Sequence, residues 1–142
     1  MAPKTYIAQG NKRLLHPQGG TEPIGQRIIT VPEDEEIVLY RDPRKGFVSY
    51  VPKGSLAKGA ALVAGGEGKT VNCTVCHGPD LKGIGDVPPI AGRTANYVVR
   101  QMFMMKSGER AGPGMALMKQ VVANLTIDDM LNIAAYTASL DP

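Results

Sequence analysis

Two cysteines, Cys73 and Cys76, stand three apart, and His77 follows the second directly. They are the only cysteines in the 142-residue chain, so a fold stapled by several disulfides is excluded by the count. The pair sits in a Gly- and Pro-rich stretch, residues 65–93, that carries neither helical nor strand periodicity. A stretch that long inside a compact domain needs something to order it. The spacing Cys-x-x-Cys-His answers that need, because it is the attachment signature of a c-type haem. Two thiols one helical turn apart reach the two vinyl groups on one porphyrin edge, and the next imidazole is then set under the iron as its proximal ligand. The alternatives fit less well. A structural zinc takes four ligands, and the only other histidine, His16, is far away along the chain. A thioredoxin-like dithiol belongs in a βαβ context that these flanks do not supply. One motif implies one covalent haem c per chain, held through Cys73 and Cys76.

A haem also suits a core this poor in rings, with two Phe, five Tyr and no Trp. The length is enough for one domain with a proper core and too short for two ordinary ones. Apolar residues at 43% and charged residues at 20% describe a globular chain, not a disordered one. The uncharged apolar runs fall far short of a membrane span. Net charge is +3, too mild for the clustered basic face that nucleic-acid binding requires. Residues 1–60 hold nine basic and six acidic groups and residues 61–142 hold seven of each, so the basic excess lies away from the motif.

Residues 1–26 lack periodicity and read as a loose arm. Residues 28–31, 37–40 and 47–51 are short β-favouring runs, with a turn over 41–46 between the last two. The acidic run 33–36 reads as a solvated turn. From there the pattern is helical. Ser55 is placed as an N-cap, with Leu56, Ala60 and Val63 at helical spacing and a Gly-Gly stop at 65–66. Thr94 caps a second helix whose Val98, Met102 and Met105 share a face, ended by Gly108. Thr126, with Asp129 three later, opens a third through a capping box. Its Ile127, Leu131 and Ala134 stripe, with Met130 and Ile133 beside it, is expected to face the core.

The helix before the motif, Cys73-Thr-Val-Cys-His77-Gly78, Pro88-Pro89-Ile90-Ala91-Gly92, the helix opening Tyr97-Val-Val-Arg-Gln101, and a late Met before a helix ending Ala134-Ala135-Tyr136 together resemble the bacterial class I cytochromes c. The likeness covers residues 54–140. It implies a mainly α fold, several helices around one haem, over residues 54–142. Residues 1–53 are then an N-terminal extension with short strands, either a wrapping segment or a docking segment. The resemblance also implies that a proline carbonyl orients the proximal imidazole; Pro88 matches best and Pro89 is the fallback. It implies a methionine as distal ligand shortly before the final helix. Six of the seven methionines lie between 102 and 130. Met102, Met105 and Met130 read as core and Met104 as the far side of its helix, because Met fills irregular gaps. Met118 fits the ligand position, with Met115 one turn earlier as the alternative. Arg93, Tyr97 and Gln101 lie where such proteins place donors to the haem propionates, and Arg110 is a further candidate.

With both axial positions filled, the expected role is one-electron transfer and not catalysis. Partners would be a dehydrogenase as donor and an oxidase or another cytochrome as acceptor, met through small transient contacts by a monomer or small oligomer. The near-neutral haem half suggests an apolar docking rim. Two other roles are compatible with the motif, a cytochrome subunit held by a dehydrogenase and a ligand-binding haem sensor. The N-terminus shows no apolar signal segment, so a periplasmic location follows from the haem motif, with a leader presumed removed.

Overall fold

A computed structural model describes residues 1–40 and 46–142, and the side chains of residues 37–39 are outside that description. The chain divides into two compact units, Met1–Pro52 and Lys53–Pro142.

The first unit is built from two-stranded antiparallel ribbons. Strand β1 (Ala2–Pro3) pairs with β4 (Thr21–Glu22), and β2 (Thr5–Ala8) pairs with β3 (Lys12–Leu15). The reading of residues 1–26 as a loose arm is therefore corrected: hairpin turns that need positive φ fall on Gly10 and Asn11, residue types that tolerate it. Strand β5 (Ile29–Pro32) pairs with β6 (Phe47–Tyr50) in the register Ile29↔Tyr50 and Val31↔Val48. Ala2, Ile29 and Val31 are buried together, with Ile24 and Tyr50 packed against them. Residues 37–40, expected as a strand, instead end helix α1 (Glu35–Tyr40). Asp34 Oδ1 accepts the Glu36 backbone N–H at 2.9 Å, and Glu35 and Glu36 stand in the first turn, where negative charge suits the helix dipole. The acidic run thus starts a helix as well as turning the chain. Most of the turn expected over 41–46 lies outside the described residues.

The second unit is helical: α2 (Ser55–Val63), α3 (Thr74–His77), α4 (Ala95–Ser107), α5 (Ala116–Val122) and α6 (Ile127–Ala138), with short 3-10 turns at Gly66–Gly68 and Pro113–Met115. Gly54, not Ser55, is the N-cap of α2, with φ 88°, and Ser55 is buried inside the helix. The buried face of α2 carries Ser55, Gly59, Leu62 and Val63, while Leu56 is exposed. Gly59 explains the rotation. A Cβ there would sit 2.1 Å from Asn132 O and 2.6 Å from Tyr136 Cβ, so α2 and α6 approach backbone to backbone at that point. Helix α6 keeps its capping box, Thr126 with Asp129. Its buried residues are Met130, Ile133, Ala134, Ala135 and Thr137, whereas Ile127 is half exposed, at 51%. In α4 the expected face is found, with Val98, Met102 and Met105 buried and Gly108 closing the helix in the left-handed region. Thr94 occupies its N-cap position but makes no side-chain cap bond.

Candidate haem-attachment site

The motif is turned into α3 from both sides. The Cys73 N–H donates to Val63 O at 2.9 Å, which ties the segment to the end of α2. Asn72 Oδ1 accepts the Thr74 N–H at 2.9 Å and the Thr74 hydroxyl at 2.7 Å, which holds the turn that leads into α3. One turn of helix then sets Cys73, Cys76 and His77, and the His77 N–H bonds to Cys73 O at 2.9 Å. Both thiols are free; Cys73 is half-buried and Cys76 exposed. Burial, helped by the nearby Cys76, raises the Cys73 thiol above its ordinary range despite an opposing backbone hydrogen bond, so it is neutral at pH 7.

His77 is buried, with Nδ1 2.7 Å from Pro88 O. A carbonyl only accepts, so Nδ1 donates this bond, and in the neutral imidazole Nε2 then carries the lone pair. Among the described residues no other hydrogen bond reaches the ring, and no fully buried side-chain nitrogen or oxygen lacks a partner, so Nε2 has no partner among them and is not sealed off. The loop that delivers Pro88 is ordered by its own backbone: the Gly83 N–H donates to His77 O at 2.7 Å, and Leu81 O accepts from both Ile90 and Ala91. Gly83 has φ 89°, and a Cβ there would lie 2.6 Å from Val87 O, so only glycine lets the loop fold back this tightly.

Met115 and Met118 are both half-buried. Met118 lies in the first turn of α5, and Met115 at its N-cap, after Gly112 and Gly114. Of the residues expected near the propionates, Arg93 turns its Nε to Pro89 O at 3.3 Å, so the fallback carbonyl is engaged elsewhere. Arg110 donates to Gln101 Oε1, which brings two of those residues together. Tyr97 is half exposed, with no side-chain hydrogen bond among the described residues. Asn72 and Thr70, whose hydroxyl donates to Val121 O at 2.8 Å, were not legible in the sequence, since neither belongs to a local pattern that names its partner.

Two thiols one turn apart, followed by an imidazole with one nitrogen fixed and the other open, are the donor set that a covalent haem requires. Among the described residues no three His, Cys, Asp or Glu side chains gather to hold an ion, so a zinc site lacks its further ligands. The residues present fit the haem.

The cytochrome c family profile matches residues 56–141, well over half of the chain. The chain belongs to the cytochrome c family. Over 81 residues this cytochrome is 35% identical to cytochrome c-554(548) of Halomonas halodenitrificans, covering 56% of the chain and 98% of that protein. It is 28% identical over 130 residues to the thiosulfate dehydrogenase electron acceptor of Stutzerimonas stutzeri, covering 84% of the chain and 60% of that protein. Among solved structures, reduced recombinant cytochrome c4 from Pseudomonas stutzeri overlays with a TM-score of 0.57 at 29% identity, over 74% of this chain and 58% of the other. The chain thus spans less than two thirds of its longer relatives. The mainly α architecture of the second unit is that of cytochrome c.

Proposed function

We propose that this cytochrome is a one-electron carrier with a single haem c on Cys73 and Cys76, His77 as proximal ligand and Met118 as distal ligand. The observation that carries the reading is the His77 ring, with Nδ1 committed to Pro88 O at 2.7 Å and Nε2 free. A bound haem supplies reversible one-electron chemistry, and a His/Met pair raises its potential. The protein's residues do the rest. Pro88 fixes the imidazole tautomer and orientation, α3 spaces the thiols, and α5 presents a half-buried thioether. With both axial positions taken by side chains, no site is left for a substrate.

The haem domain is residues 54–142, and residues 1–53 form an extension to it. Donor and acceptor are redox proteins: a dehydrogenase upstream, and an oxidase or another cytochrome downstream. Exposed Val75 and Leu117, beside Cys76 and before Met118, favour an apolar rim for docking. Covalent haem attachment occurs outside the bacterial cytoplasm, which supports a periplasmic location. No helix of the described residues is long and apolar enough to cross a membrane. Residence in a dehydrogenase complex is the second reading. It is favoured by the relatives named as thiosulfate dehydrogenase electron acceptors, which align with 84% and 94% of the chain. Stable co-purification with a dehydrogenase distinguishes it from a free carrier.

The test is a visible spectrum, oxidised and reduced, of protein matured in a c-haem-assembling host. One haem per chain with the far-red sulfur-to-iron band is the expected result. An attached haem without that band, and high-spin, means an open site and sinks the carrier reading. Absence of covalent haem sinks the whole assignment.

A further inference from the structure

The segment bearing Met118 is anchored unevenly. Before it, Gly112 and Gly114 have nothing within 4 Å of where a Cβ would stand. After it, three polar contacts from other parts of the second unit converge on residues 121–129. The Thr70 hydroxyl donates to Val121 O at 2.8 Å, Lys106 Nζ donates to Leu125 O at 2.5 Å, and Lys69 Nζ pairs with Asp129 Oδ2 at 2.5 Å. Thr70 differs from the other two in what it joins. It stands three residues before Cys73, and its acceptor stands three residues after Met118, so one hydrogen bond links the attachment segment to the methionine segment.

Its acceptor also matters. The last carbonyls of a helix have no partner within the helix. In α5 the neighbours of Val121 are satisfied locally, Gln120 O by the Ala123 N–H and Val122 O by the Leu125 N–H. Val121 O is taken by the Thr70 hydroxyl, in a half-buried setting where an unmet carbonyl is costly. Holding that carbonyl fixes the last turn of α5, one turn beyond Met118, against the segment that carries the thiols.

We propose that Thr70 is a positioning residue for the distal methionine: its bond to Val121 O holds the last turn of α5 so that the Met118 thioether stays on the iron. The proposal rests on the His/Met reading above. It follows that loss of this bond makes the methionine easier to displace, whereas a hydroxyl kept in place preserves it. Thr70→Val keeps the shape and removes the donor; Thr70→Ser keeps the donor.

The experiment is titration of the oxidised, haem-loaded full chain with imidazole, which competes with the thioether for the distal position, alongside the far-red band and the unfolding midpoint. Thr70→Val is expected to bind imidazole about fivefold more tightly, the factor that one ordinary hydrogen bond represents, with a weaker band. Thr70→Ser is expected to match the unsubstituted protein. Imidazole binding unchanged in Thr70→Val, with the band intact in the unsubstituted protein, overturns the proposal even if the unfolding midpoint falls. An unsubstituted protein without the band overturns both the ligation and the positioning role.

Discussion

Two methionines three residues apart compete for one role, and their backbone settings separate them. Met118 is inside α5, whose end is held by Thr70 and by buried Val122 and Leu125; Met115 is at the N-cap, next to the open Gly112–Gly114 side. Met118→Ala is therefore expected to lose the far-red band and to become high-spin, while Met115→Ala keeps the band. A band that persists in both single variants and vanishes only in the double would show that either sulfur serves, and would remove the assignment to Met118. At this scale the sequence discloses the covalent chemistry because Cys73, Cys76 and His77 are contiguous. Pro88 is legible only through the resemblance, as its carbonyl reaches His77 across eleven residues. The pairing of Gln101 with Arg110 arises where the chain beyond α4 turns back on that helix, and the pairing of Thr70 with Val121 joins a loop to α5 across 51 residues, so no local spacing encodes either.

Among the elements, the crossing of α2 and α6 rests on Gly59. Gly59→Ala would gain a little helix propensity, but its methyl would meet the Asn132 carbonyl and Tyr136 Cβ. Backbone atoms cannot turn aside as a side chain does, so the helices must separate. A loss of at least ~2 kcal/mol is expected, read as a lower denaturation midpoint of the haem-loaded protein; an unchanged midpoint would mean the helices are not in close contact. Asp129 gives a second prediction. Burial raises its pKa, yet the opposing contacts from Lys69 and Thr126 outweigh it and hold the carboxyl below its usual range. A group depressed in the folded state stabilises the fold above its unfolded value of about 3.9, and that stabilisation is lost as pH falls through the folded value. The stability difference between the unsubstituted protein and Asp129→Asn is thus expected to be constant near neutrality and to shrink below about pH 4, measured by denaturant unfolding across that range. The Thr126–Asp129 box is a local pattern and could be read directly. The burial faces of α2 and α6 could not, because a glycine contact sets how the two helices are rotated, and hydrophobic spacing alone places Leu56 and Ile127 inside. Residues 37–40 look like a strand for a related reason: their β-branched and aromatic content is outweighed by the acidic cap at 34–36.

For the whole molecule, the question is whether the haem chemistry depends on the first unit. That unit buries its own small core of Ala2, Ile29 and Val31, and the thiols, His77, Pro88, Thr70 and both candidate methionines all lie in the second. Residues 53–142 alone are therefore expected to take up one haem and to give the oxidised and reduced spectra of the full chain, far-red band included. Failure to load haem, or a lost band, would mean that the extension helps to build the site. Exchange with a protein donor is a separate matter, because a docking role would leave the spectrum untouched. Reduction by ascorbate should proceed equally with and without residues 1–52. Reduction by a dehydrogenase should slow on deletion only if the extension docks. Salt adds a discriminating axis. The haem-bearing residues 61–142 carry balanced charge, and the basic excess lies in residues 1–60. Docking through an apolar rim of the second unit predicts less than about a tenfold change in the bimolecular rate between low and high salt. A steeper fall that disappears when residues 1–52 are removed would place the electrostatic part of recognition in the first unit, and the apolar rim would then account for contact but not for encounter.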